Sequence, residues 1–187
     1  MEHPQVERSR ASHPDRFPTG SLGRNSSSPN ASPGTGSAVV TLDTIGHTLS
    51  VYAEFSGLLG TTTVAHIHGP TAIPGTNVAG VITETPSFAG FPFGVTSGVY
   101  DHIFDTTLAS TWNIAFLNNN AFTPLDAEAA LDSYLAGGTI YFNIHTTMFT
   151  GGEIRGFFVP VPVPATMLLF GTGLAGLAGI RLRRKKP

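Results

Sequence analysis

Between Ser37 and Val159 the apolar residues come in short runs that alternate with polar ones, and glycine or proline closes most of them. This pattern constrains the fold more than any other feature. A period of two puts successive side chains on opposite faces of an extended strand, whereas a helix needs apolar residues three and four apart. Leu49, Val51, Ala53 and Phe55 alternate with Ser50, Tyr52 and Glu54, which predicts a half-buried strand. The run before it, Ala38–Leu42, joins it across Ile45-Gly46-His47 as a hairpin. "TTTVAHIH" reads as a further strand stopped by Gly69-Pro70, and "SGVYDHIFDT" as one with Tyr100 and Phe104 inward. "TIYFNIHT" sets Tyr141, Asn143 and His145 on one face and Ile140, Phe142 and Ile144 on the other. "GGEIRGFFVP" is the last strand, with Glu153 and Arg155 sharing a face.

One segment breaks the alternation. "TPLDAEAALDSYLAGG" offers Thr123 as N-cap, Pro124 at the first helical position, and Asp126 and Glu128 at the positive end of the helix dipole. Gly137-Gly138 end the helix, and Ala127, Leu131, Tyr134 and Leu135 form its buried stripe. Short strands, frequent turns and one short helix predict a mainly β fold, an antiparallel β-sandwich of immunoglobulin-like or superoxide-dismutase-like type.

Charge excludes one large class of function. From Ser37 to Val159 the acids are Asp43, Glu54, Glu84, Asp101, Asp105, Asp126, Glu128, Asp132 and Glu153, and the sole Lys or Arg is Arg155. Nucleic-acid binding rests on clustered cations that release counterions, and this body has no such cluster. With no cysteine, a disulfide framework and a thiolate metal site are also excluded.

The ends differ from the body. Residues 1–27 read as a tail of Pro, Ser, Gly, Asn and Arg with little to bury. At the other end, the prolines around Val161-Pro162-Val163-Pro164 give way to an uncharged run from Ala165 to Ile180. Arg181, Arg183, Arg184, Lys185 and Lys186 follow. The run predicts a membrane helix over 165–180 that keeps its basic end in the cytoplasm and the body outside. Gly171, Ala175 and Gly179, four residues apart, suit close helix packing.

This tail resembles the PEP-CTERM sorting signal of Gram-negative bacteria in the order and spacing of its parts. The resemblance rests on Pro162, Pro164 and Ala165, the Gly/Leu/Ala helix, and the basic cluster with Arg181, Arg183 and Arg184. Val163 stands where that signal usually has Glu. The resemblance implies an exosortase as partner, export, and association with the cell surface or an exopolysaccharide matrix. Export needs a leader, and residues 1–36 hold no apolar run of that kind, so the natural start is expected upstream.

The body is similar to the CHRD domain, named after chordin. The stretches that carry the likeness are "SPNASPGTGSA" (28–38), "AHIHGP" (65–70), "TWNIAFL" (111–117), "AEAAL" (127–131), "AGGTIYFNIHT" (136–146) and "GGEIRGFF" (151–158). The family usually has one more strand ahead of the first stretch. Here that place is held by "RFPTGSLGRNSS", which lacks a strand pattern, so the domain is expected over 28–159.

Three histidines are the candidate site. His66 and His68 are two apart in one strand and share a face, and His145 lies on another. If the strands pair, three imidazoles converge, the minimal donor set for zinc or copper. His-x-His on a strand also has a loose likeness to Cu/Zn superoxide dismutase, but that enzyme's further ligands and disulfide have no counterpart. The alternative is structural: a strand histidine hydrogen-bonded to buried backbone or to a carboxylate such as Glu153. Arg155, if buried, needs a partner, and Glu153 is the nearest candidate. His3, His13, His47 and His102 are given no role. The expected function is a non-catalytic surface or matrix interaction module needing no cofactor, with partners among exopolysaccharide or surface proteins. The competing expectation is a small copper- or zinc-binding protein.

Overall fold

The computed structural model describes residues 19–24, 30–120 and 122–159. Seven strands make up one antiparallel sheet: β1 (Thr19–Arg24), β2 (Thr35–Asp43), β3 (Thr48–Ser56), β4 (Thr62–His68), β5 (Gly98–Asp105), β6 (Tyr141–Thr146) and β7 (Ile154–Phe157). Their order is β4-β6-β7-β1-β2-β3-β5. Among the described residues two α-helices, α1 (Ile114–Asn119) and α2 (Pro124–Gly137), sit between β5 and β6.

The sheet is curled. The Phe88 ring lies 5.4 Å from Phe104 on β5 and 5.8 Å from Phe142 on β6, residues from opposite ends of the strand order. β1 forms the bend: Thr19–Leu22 pair with β2 and Gly23–Arg24 with β7. A strand that changes partners along its length is how a sheet turns a corner. The residues turned inward include Leu22, Val40, Leu49, Val51, Ala65, Ile67, Phe142, Ile144 and Ile154, all nearly free of solvent. Burying one such Leu, Ile or Phe side chain is worth about 1.5–3 kcal/mol.

Local signals read from the sequence hold where they are strong. The β2–β3 hairpin closes with Asp43 opposite Thr48. The Asp43 carboxylate accepts hydrogen bonds from the Ile45 and Gly46 amides in the turn. Tyr100 and Phe104 point into the core. In α2, Thr123 caps the Asp126 amide, Pro124 leads, and Gly138 ends the helix in a left-handed conformation at φ 64°.

Two expectations change. Residues 19–24 are a strand in the middle of the sheet, so the domain begins before residue 28 and the tail does not extend to 27. "TGSLGR" has no apolar alternation because Leu22 is its one large apolar residue in the core, and pairing to β2 and then to β7 holds it extended. Second, α1 adds a helix beyond the single one expected; its Asn113 side chain caps the Ala115 amide. The Gly/Pro-rich stretch 71–97 packs onto the sheet. It sends Phe88 and Phe91 into the core and covers the edge of β4, where the Ile82 amide donates to the Ile67 carbonyl at 2.9 Å.

The expected membrane helix 165–180 and residues Pro162, Pro164, Ala165, Arg181, Arg183 and Arg184 lie outside the described residues. Among the described residues no helix is long and apolar enough to cross a membrane.

Candidate functional site

Strand pairing builds the site. β4 runs antiparallel to β6 with His66 opposite Asn143, His68 opposite Tyr141 and Val64 opposite His145. On the next strand Arg155 lies opposite Asn143, and Phe157 opposite Tyr141. The period of two sends Ala65, Ile67, Phe142 and Ile144 into the core and all of these to the other face. A sheet face away from the core is normally solvated. Here it is covered: His66, His68, Tyr141, Asn143 and Arg155 are each less than a tenth exposed. The cover is the 71–97 stretch and the β6–β7 connection, whose carbonyls point down onto the face.

The three histidines meet. Their ring centroids form a nearly equilateral triangle with sides of 5.6, 5.6 and 5.7 Å. One nitrogen from each ring lies within 4.8 Å of the others. Each ring also has one nitrogen on a backbone carbonyl. His66 Nε2–H donates to Pro86 at 2.7 Å, His68 Nδ1–H to Ala79 at 3.0 Å, and His145 Nδ1–H to Thr150 at 2.7 Å. In a neutral imidazole the proton can sit on only one nitrogen, so these bonds set the tautomers and leave the other nitrogen as a bare lone pair. His66 Nδ1 and His68 Nε2 are buried without a hydrogen-bond partner. His145 Nε2 accepts from the Asn143 side-chain amide at 3.0 Å. Burial is the main reason that His66 and His68 are pushed from the ordinary value of 6.5 down to about 4, so both are neutral near pH 7.

Neighbouring groups brace this face. The His68 ring stacks on Tyr141 at 5.1 Å and 10°. The Arg155 guanidinium lies 4.9 Å above the Tyr141 ring and 5.4 Å above Phe157, and donates to the Asn77 carbonyl at 2.9 Å. Gly152, at φ 110°, passes so close to Asn143 that any side chain there would run into its carboxamide.

Among the described residues no ion pair joins Glu153 to Arg155, and the hydrogen bonds of Glu153 go to groups other than histidine. Glu153 precedes β7, in the bend after Gly152, so strand alternation does not govern its direction. Its fully buried carboxylate accepts hydrogen bonds from the Ser32 and Thr146 hydroxyls and the Leu59 and Gly60 amides. Burial raises its pKa, but these four donors outweigh burial and hold the carboxyl below its ordinary value. It thereby ties the β3–β4 loop and Ser32 to the β6–β7 turn.

One interacting pair was missed at the sequence level. His47, in the hairpin turn at φ 54°, meets Glu128 of α2 at 3.0 Å, and Thr106 donates to the same carboxylate. No local signal links residues this far apart in the chain. A Glu on the inward stripe of α2 was the available hint, since a buried carboxylate needs a partner.

These features define a mainly β domain with one apolar face and one buried polar face that gathers three histidines. The chain belongs to the CHRD domain family, which matches residues 18–158. The match includes β1 and agrees with the earlier start of the domain. A PEP-CTERM protein-sorting motif follows at residues 160–185. The motif implies recognition by an exosortase and an exported, membrane-anchored precursor. No curated protein and no solved structure gives a significant match to the chain.

Proposed function

We propose that the domain is a non-catalytic interaction module of the cell surface or extracellular matrix, delivered there by its sorting motif. The observation that carries this reading is the order of parts: a CHRD domain over 18–158 and, directly after it, the sorting motif over 160–185. In this reading the C-terminal apolar segment holds the precursor in the membrane until an exosortase acts, and the β-domain then works outside the cell. The curled sheet is read as a sandwich-like scaffold with β4-β6-β7 facing β2-β3-β5. Its acidic surface, which includes Glu54, Asp101 and Asp105, suits contact with anionic polysaccharide through bridging divalent cations.

Cell fractionation in the presence and absence of an exosortase tests this. A shorter, surface or extracellular form is expected only with the enzyme, and full-length membrane-bound chain without it. Identical membrane retention in both strains would make the tail a plain anchor and sink the reading.

A further inference from the structure

We infer that His66, His68 and His145 form a binding site for one divalent transition-metal ion of the zinc or copper class, held through His66 Nδ1, His68 Nε2 and His145 Nε2. This does not rest on the surface-module reading, since the site is complete within the folded domain.

Four observations converge. The three rings lie on one sheet face at nearly equal spacing. One ring nitrogen from each of the three histidines lies within 4.8 Å of the others. A tetrahedral zinc ion with bonds of about 2.0–2.1 Å needs its donors about 3.3 Å apart, so the three rings must draw together on binding. The backbone carbonyls of Pro86, Ala79 and Thr150 take the other ring N–H of each histidine. That outer contact is the usual support of metal-bound imidazoles, because it fixes ring and tautomer. Finally, two of the three lone pairs are buried and unpartnered. Leaving a buried acceptor unsatisfied costs about 1–3 kcal/mol, and a metal ion would satisfy both lone pairs together.

The donor chemistry narrows the ion. Three imidazole nitrogens without a thiolate or carboxylate suit zinc and copper, and offer little to calcium or magnesium, which need oxygen ligands. His145 is the adjustable member. Its lone pair is held by Asn143, which also lies 3.4 Å from the Gly151 carbonyl and can turn to that acceptor when an ion takes the lone pair. Three protein donors leave one coordination position open, the arrangement of zinc sites that accept an outside ligand.

The test uses the full-length chain in mild detergent, without a polyhistidine tag and stripped by chelator. Zn²⁺ and Cu²⁺ are offered separately, and metal content is measured after desalting. About one equivalent of at least one ion is expected. The Cu²⁺ form should give an electron paramagnetic resonance spectrum with nitrogen hyperfine structure. His68→Gln and His145→Gln should each weaken uptake by about tenfold or more, while the circular dichroism of the chelated variants stays that of the parent. The His145 variant guards against a folding artefact, because that ring is only partly buried. Uptake below about a tenth of an equivalent for both ions would overturn the site. So would uptake that is the same in parent and variants, which would place the metal on other histidines.

Discussion

The two faces of the β4–β6 pair are both largely dry and differ in everything else. On one, Ala65, Ile67, Phe142 and Ile144 are fully buried against the core. Their contribution is non-directional and scales with the apolar area removed from water. On the other, His66, His68, Tyr141 and Asn143 are buried almost as completely under loop backbone. That face depends on directed hydrogen bonds and leaves His66 Nδ1, His68 Nε2 and Asn143 Oδ1 unsatisfied. An apolar replacement would fold with less cost there. Groups kept in place against their own solvation preference are where function is to be sought.

Substitutions can break this contrast. The largest effect is expected from Phe142→Ala on the core face. It should cost about 3–5 kcal/mol, read as a lower urea midpoint, in chelated and metal-loaded protein alike. Glu153→Gln comes next, because it removes the charge from four charge-assisted hydrogen bonds. A loss of about 1.5–3 kcal/mol is expected, and resistance to proteolysis should fall in the β3–β4 loop before it falls elsewhere. A larger effect from His68→Gln than from Phe142→Ala in the chelated protein would reverse the comparison.

Acid sharpens it further. His66 and His68 titrate near 4 in the folded chain and near 6.5 when unfolded. Between those values the unfolded chain binds more protons, so stability falls as pH drops from about 6.5 to about 4. Glu153 is also depressed, so its contribution is present above its ordinary value and is lost as pH falls through its lower folded one. Thermal melts of chelated protein should therefore show Tm declining below pH 6.5, and the decline above pH 4 should shrink in a His66→Phe, His68→Phe double variant. A flat profile across that window would show that these rings are protonated in the folded state. The smallest effect on the domain belongs to Val163→Glu, which lies in the sorting motif at 160–185. Tm should not change, while the cleaved fraction in cells rises as the motif approaches its usual form.

What the sequence revealed depended on the range of the interaction. The ends of α2 were legible because Thr123, Pro124 and Gly138 act on backbone groups within a turn of themselves. The shared face of His66 and His68 was legible because strand geometry alone imposes it. β1 was not, since Thr19–Arg24 are held by partners on two sides and carry no pattern of their own. The proposed Glu153–Arg155 pair failed because the two-residue rule stops at the end of a strand, and Glu153 lies one residue before β7.

By itself, then, the sequence determined the class of fold, the family, the sorting motif and which histidines share a face. These follow from local periodicity and from short motifs. Tertiary structure alone decided that His145 joins His66 and His68, that loop carbonyls set all three tautomers, and that Glu153 and Arg155 serve different neighbours. Each of these depends on strand register and on loops brought in from distant parts of the chain, and local propensity carries no record of either.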